Sequence, residues 1–168
     1  MHIMTVCLGN ICRSPAAESV LVHKLAEAGL DHVTVSSAGT AGYHIGEPAF
    51  DLTVVEGEHR GYVFTTVAQQ FVADHFAEAD LILAMDDSNV ADILSMAKRP
   101  EDRAKVVRMG AFAKDTKDGV LDVPDPWGYP RDAFVAMYDQ LEEAIDGLVQ
   151  AIHDGTVDDI VAAHGEGR

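Results

Sequence analysis

The chain has only two cysteines, and both fall in one short segment, CLGNICRSP, from Cys7 to Pro15. A strand-like run, HIMTVC, ends at Cys7. A helical pattern starts near Pro15, where a proline in the first turn costs no hydrogen bond. Between them Leu8, Gly9, Asn10, Ile11, Cys12 and Arg13 must turn the chain. Backbone N–H groups without intrahelical partners at such a point can converge on an anion. Gly9 and Asn10 are types that tolerate the left-handed backbone a nest needs, and Arg13 can add a planar, bidentate grip on two oxygens. The expected result is a phosphate-binding cradle with Cys7 at its floor. Thiolate is the nucleophilic form of cysteine, and a helix N-terminus beside an arginine favours it. Ser14 is placed to donate a further hydrogen bond to the sulfur. The chemistry these residues suit is attack on phosphorus, giving a cysteinyl-phosphate. A cysteine ending a strand is commonly a small buried hydrophobe, so it is the whole string that argues for catalysis. Cys12 stands where it can reach Cys7. It reads as a redox guard, diverting an oxidised Cys7 into a reducible disulfide.

Hydrolysing a phosphate ester calls for a proton donor to the departing oxygen, an effect of roughly 10²–10⁴ in rate. The segment DVPDPWGYP, Asp122 to Pro130, offers two carboxyls, Asp122 and Asp125, on a loop that otherwise reads as a proline-stiffened turn.

These parts need a scaffold. Strand-like runs at 2–7, 32–37, 80–85 and 104–109 alternate with helical spacing after Pro15, at 49–60, after Ser88 as a cap, and from Phe134 to Ile152. Such alternation predicts α/β architecture: a single three-layer domain, a parallel sheet with right-handed crossovers and helices on both faces. Ligands in such sheets bind outside the carboxyl ends of the strands, which is where Cys7 lies. Residues 110–130 read as irregular. The domain is expected over 1–154, with 155–168 a weakly ordered extension.

The formal net charge of −16, from 28 acidic and 12 basic residues, disfavours nucleic acid and anionic membrane as partners. Eight scattered histidines lack metal-ligand spacing, so neither metal nor cofactor is expected. No apolar run has membrane-spanning length. The absence of a signal-peptide pattern after Met1 leads to an expected cytoplasmic location.

CLGNICRSP resembles the signature loop of the low-molecular-weight protein tyrosine phosphatases. The resemblance continues in order through SAGT (Ser37 to Thr40), Tyr43-His44, GEP (Gly46 to Pro48), DLILAMD (Asp80 to Asp86), Asn89 and DPW (Asp125 to Trp127). It implies a four-stranded, flavodoxin-like sheet in the order 2-1-3-4. It also implies hydrolysis of phosphotyrosine proteins or peptides, with inorganic phosphate as product and a monomer as the working unit. By resemblance Asp125 is the general acid and then base. Tyr43 and Trp127 form the walls of a slot for a flat ring, and Asp86 and Asn89 cap a helix and brace the loop. Ser36 or Ser37 is expected to brace Asn10. Departures from the family pattern fall at Thr66, where relatives have histidine, at Gln69, where they have arginine, at Phe50-Asp51-Leu52, and at Gly128.

Three rivals are weaker. Arsenate reductases of similar fold need a cysteine beyond the loop, and none follows Cys12. Phosphoarginine phosphatases of this type carry threonine where this chain has Ile11. A non-catalytic phosphate-binding module would need neither Cys7 nor Asp125.

Overall fold

The computed structural model describes residues 1–167. Four short strands, β1 (His2–Cys7), β2 (Thr34–Gly39), β3 (Leu81–Ala84) and β4 (Val106–Arg108), pair in parallel in the order β2-β1-β3-β4. This is the expected topology. The strand period divides the buried side chains between two cores. Ile3, Leu81 and Leu83 face one side, under α1 (Arg13–Glu27), α2 (Asp51–His59) and α6 (Arg131–Asp154). Met4, Val6, Ile82 and Ala84 face the other, under α3 (His75–Glu78) and α4 (Asp87–Met96). α5 (Pro100–Arg103) leads into β4. The long apolar stripe of α6 buries Phe134, Met137, Leu141, Ile145 and Leu148, as its spacing predicts.

Several expectations need adjustment. The second strand lies two residues later than 32–37, because Val33 N still donates to Leu30 O in the turn that follows α1. The cap of α4 is Asp86 and not Ser88: Asp86 Oδ1 accepts from Asn89 N at 2.8 Å, and Ser88 falls inside the first turn. The irregular stretch after β4 opens with a 3₁₀ turn, Met109–Phe112, all of it buried. Residues 155–168 were expected to be weakly ordered, but Val157–His164 form a further helix, α7. Val157 is buried, and Ile160 and Val161, one turn on, pack against the α6-side core. Among the described residues no helix is long and apolar enough to cross a membrane.

Candidate active site

β1 ends in the centre of the sheet, and the next residues turn directly into α1. Gly39, at the end of β2, makes that turn possible: a Cβ there would sit 2.7 Å from Leu8 O. The turn's carbonyls are drawn outward, with Thr40 N donating to Cys7 O and Ala41 N to Leu8 O, each at 2.9 Å, and Phe50 N to Ile11 O at 2.8 Å. Among the described residues, the N–H groups of residues 8–12 donate to no backbone carbonyl. Asn10 alone takes the left-handed conformation, with φ 57°. Gly9 does not need it. Its role is room, since a Cβ there would meet the His44 ring at 3.1 Å.

Behind the turn lies a buried polar relay. Asn10 Nδ2 donates to Ser14 Oγ at 2.8 Å and to Ser37 Oγ at 2.9 Å, and Asn10 Oδ1 accepts from Gln69 N at 3.0 Å. Of the two serines proposed to brace Asn10, Ser37 is the one that does so. Ser14 Oγ stands 3.1 Å from Cys7 Sγ and 3.3 Å from Ala38 O. Asn10 already fills one of its lone pairs, so its single proton is free for one of those two acceptors. Thr5 Oγ1 ties β1 to the start of α1 by donating to Ser14 O at 2.9 Å.

Arg13, 2% exposed, is aimed by two partners. Its Nη1 lies 2.6 Å from Asp86 Oδ2 and donates to Val123 O at 3.0 Å. Its Nη2 is 3.7 Å from Asp125 Oδ2. One pocket of about 220 Å³ brings together Cys7, Leu8, Gly9, Ile11, Cys12 and Arg13 with Tyr43, His44, Asp125 and Trp127. Asp122, the other carboxyl of the DPW loop, points away and is held by Arg108 Nη1 at 3.0 Å. Trp127 leans on Phe50, ring centroids 4.8 Å apart, and Trp127 N donates to Asp125 Oδ1 at 3.1 Å. Tyr43 stands at the mouth, 75% exposed. Both cysteines are free and buried. Burial pushes the Cys12 thiol up to about 12; Cys7 and Asp125 add to the rise, and Thr53 and Arg13 partly offset it.

The family model for the low molecular weight phosphotyrosine protein phosphatases matches residues 2–157. The chain belongs to that family. It is 38% identical to the low molecular weight protein-tyrosine-phosphatase of Streptomyces coelicolor over 91% of this chain and 94% of that one. Its fold superposes on a protein tyrosine phosphatase from Entamoeba histolytica with TM-score 0.87 and 33% identity, covering 94% of this chain and 99% of that one. Wzb of Vibrio vulnificus, solved in complex with benzylphosphonate, matches with TM-score 0.77 and 31% identity over 89% of this chain and 97% of that one.

Some parts of this phosphatase site escape sequence reasoning. Asp86 caps α4 as expected, but it also grips Arg13, a pairing hidden by the sequence distance between them. Glu18 Oε2 accepts from both Ser37 Oγ and Thr66 Oγ1 at 2.7 Å, closing the relay behind Asn10. Two departures from the family pattern, Thr66 and Gln69, therefore sit behind the cradle and not at the pocket rim. Gln69 Nε2 also donates to Ser37 O at 2.9 Å. A signal for Glu18 existed in its position one helical turn after Ser14, on the same face of α1.

Proposed function

We propose that this enzyme hydrolyses phosphotyrosine esters through a cysteinyl-phosphate on Cys7. The observation that carries the reading is the meeting of Cys7, Arg13 and Asp125 in one pocket flanked by Tyr43 and Trp127. The N–H groups from Leu8 to Arg13 and the free edge of the Arg13 fork hold the three phosphoryl oxygens. Ser14 Oγ–H, 3.1 Å from Cys7 Sγ, stabilises the thiolate. The thiolate attacks phosphorus, an S–P bond forms, and the P–O bond to the aryl group breaks. Asp125 gives its proton to the departing oxygen. Its carboxylate then takes a proton from water, whose oxygen attacks phosphorus. The S–P bond breaks, leaving inorganic phosphate and the thiolate.

Tyr43 and Trp127 suit the flat ring of phosphotyrosine, in keeping with the ring-bearing phosphonate held by the Vibrio relative. Ile11, buried and lining the pocket, suits an aromatic ester better than a guanidinium. The working unit in this reading is a monomer, and two free thiols fit the reducing cytoplasm. Residues 1–154 form the phosphatase domain in this reading. The test is kcat/KM on phenyl phosphate and p-nitrophenyl phosphate. Cys7→Ser should abolish turnover of both, and Asp125→Ala should slow phenyl phosphate by about 10²–10⁴ and the better leaving group much less. Retained activity in Cys7→Ser, or a leaving-group dependence produced by Asp122→Ala instead, would overturn the assignment.

Cys12 is the redox guard in the same proposal. Peroxide converts the Cys7 thiolate to a sulfenic acid. The Cys12 sulfur then attacks, an S–S bond forms, and the hydroxyl leaves as water with the Cys12 proton. Because burial holds that proton on Cys12, closure should quicken as pH rises. Cys12→Ser should retain turnover yet regain little activity on thiol treatment after peroxide; full recovery removes the guard role.

A further inference from the structure

The family match ends at Val157, yet the chain continues through α7 and back to the sheet. Glu166 N donates to Val106 O at 3.0 Å, on the edge of β4 that no strand covers. Gly167 lies flush against α5, where a Cβ would come within 2.0 Å of Arg103 O. The Glu166 side chain is thereby fixed over β4, and its Oε1 lies 2.7 Å from Arg108 Nε.

Arg108 faces the loop that carries Asp125. Its Nη1 donates to Val120 O at 3.1 Å and to Asp122 Oδ1 at 3.0 Å, with Asp87 Oδ1 3.3 Å away. The guanidinium is mostly buried, its side chain 18% exposed. One residue beyond Asp122, Val123 N donates to Met85 O at 2.8 Å and Val123 O accepts from Arg13. Asp125 follows two residues later. Arg108 thus fastens the root of the acid loop, and Glu166 is the partner that holds the Nε side of its fork. A fork anchored on both edges has one orientation, whereas one held at Nη1 alone can swing about that contact.

We propose that Glu166 is a positioning residue for the phosphatase reaction. It fixes Arg108, and Arg108 fixes the Val120–Asp122 leg that sets the placement of Asp125. The C-terminal extension is then a brace for the acid loop. This rests on the reading of Asp125 as the acid.

Glu166→Ala and Glu166→Gln in the full chain test it, by amide hydrogen exchange and by kcat/KM on the two aryl esters. In Glu166→Ala, exchange over residues 120–127 should quicken about tenfold while β1 and α1 stay unchanged. Phenyl phosphate turnover should fall about fivefold, less than one lost charge-assisted bond would give if it bore wholly on the transition state, and p-nitrophenyl phosphate turnover less than twofold. Glu166→Gln, which still offers an oxygen to Arg108 Nε, should retain most of both. Added to Asp125→Ala, the Glu166→Ala change should cost nothing further. Unchanged exchange in the loop overturns the brace. Equal loss on both esters, or a loss that persists without Asp125, overturns the positioning role. If Asp125→Ala itself shows no leaving-group dependence, the acid assignment fails, and the exchange data still decide the brace.

Discussion

The cradle between β1 and α1 and the loop bearing Asp125 share one pocket but are held in place differently. The cradle is fastened from within. Asn10 and Ser14 are wholly buried, and their hydrogen bonds run to Cys7, Ser37 and Gln69, all within the same cluster. The acid loop is fastened from outside, by Arg13, Arg108 and Gln140 reaching it from three separate elements. Most of its side chains are open to solvent, with Leu121 69% exposed and Trp127 50%, while Val123 is fully buried. The contrast matches the tasks proposed for the two regions. A site that stabilises a phosphoryl dianion works best when its donors are fixed before the substrate arrives. A loop that delivers a proton must also let a bulky substrate in and a product out. Changes in the cradle should therefore damage turnover of every ester alike, and changes in the loop's supports should show mainly with poor leaving groups.

The largest effect expected from this contrast is at Arg13, where cradle and loop touch. Arg13→Lys keeps the charge but loses the planar fork. One ammonium cannot satisfy Asp86, Val123 O and a phosphoryl oxygen together. Loss of such preorganised donors should lower kcat/KM by roughly 10²–10³. The loss should be similar for phenyl and p-nitrophenyl phosphate, because binding of the transferring group suffers with either ester. A strong bias toward phenyl phosphate would mean that Arg13 acts chiefly on the acid loop, and the distinction drawn between the two regions would fail.

The same contrast explains what could be read from sequence. The cradle is contiguous, so its nucleophile, its left-handed Asn10 and its arginine stand side by side in CLGNICRSP. The sheet was legible for a similar reason: each strand is a short local run, apolar in β1 and β3 and alternating in β2, and the crossovers carry a helical period. Asp125 needed the family resemblance, because spacing alone does not separate it from Asp122. What separates them in the fold is Arg108, 14 residues before Asp122 and committed to it by its place at the end of β4. Likewise Ser88 looked like a cap because serine caps helices, but the helix starts two residues earlier, after Asp86, whose carboxylate serves α4 and Arg13 together. The extension after 154 looked weakly ordered because chain termini commonly are unless something ties them down. Val157, Ile160 and Val161 suffice because they meet a core already built by α6.

The smallest effect, and the finest test of the contrast, is at Gln140. Its Nε2 donates to Asp122 O at 2.9 Å from the half-buried flank of α6. It also stands between two cavities of about 400 and 290 Å³ that flank the acid loop, one beside Leu121 and Val123 and the other beside Pro124 to Pro126. The loop is thus thinly packed on either side of this one bond. Gln140→Ala removes the bond and joins the two spaces, at a cost of about 1 kcal/mol to the loop's placement. Among the described residues Gln140 hydrogen-bonds to no residue of the cradle. Turnover of phenyl phosphate should fall about threefold, less than the 1 kcal/mol would give if it bore wholly on the transition state. That of p-nitrophenyl phosphate should not change. If both esters slow equally, the loop and the cradle move as one body, and their separate fastenings have no separate consequence.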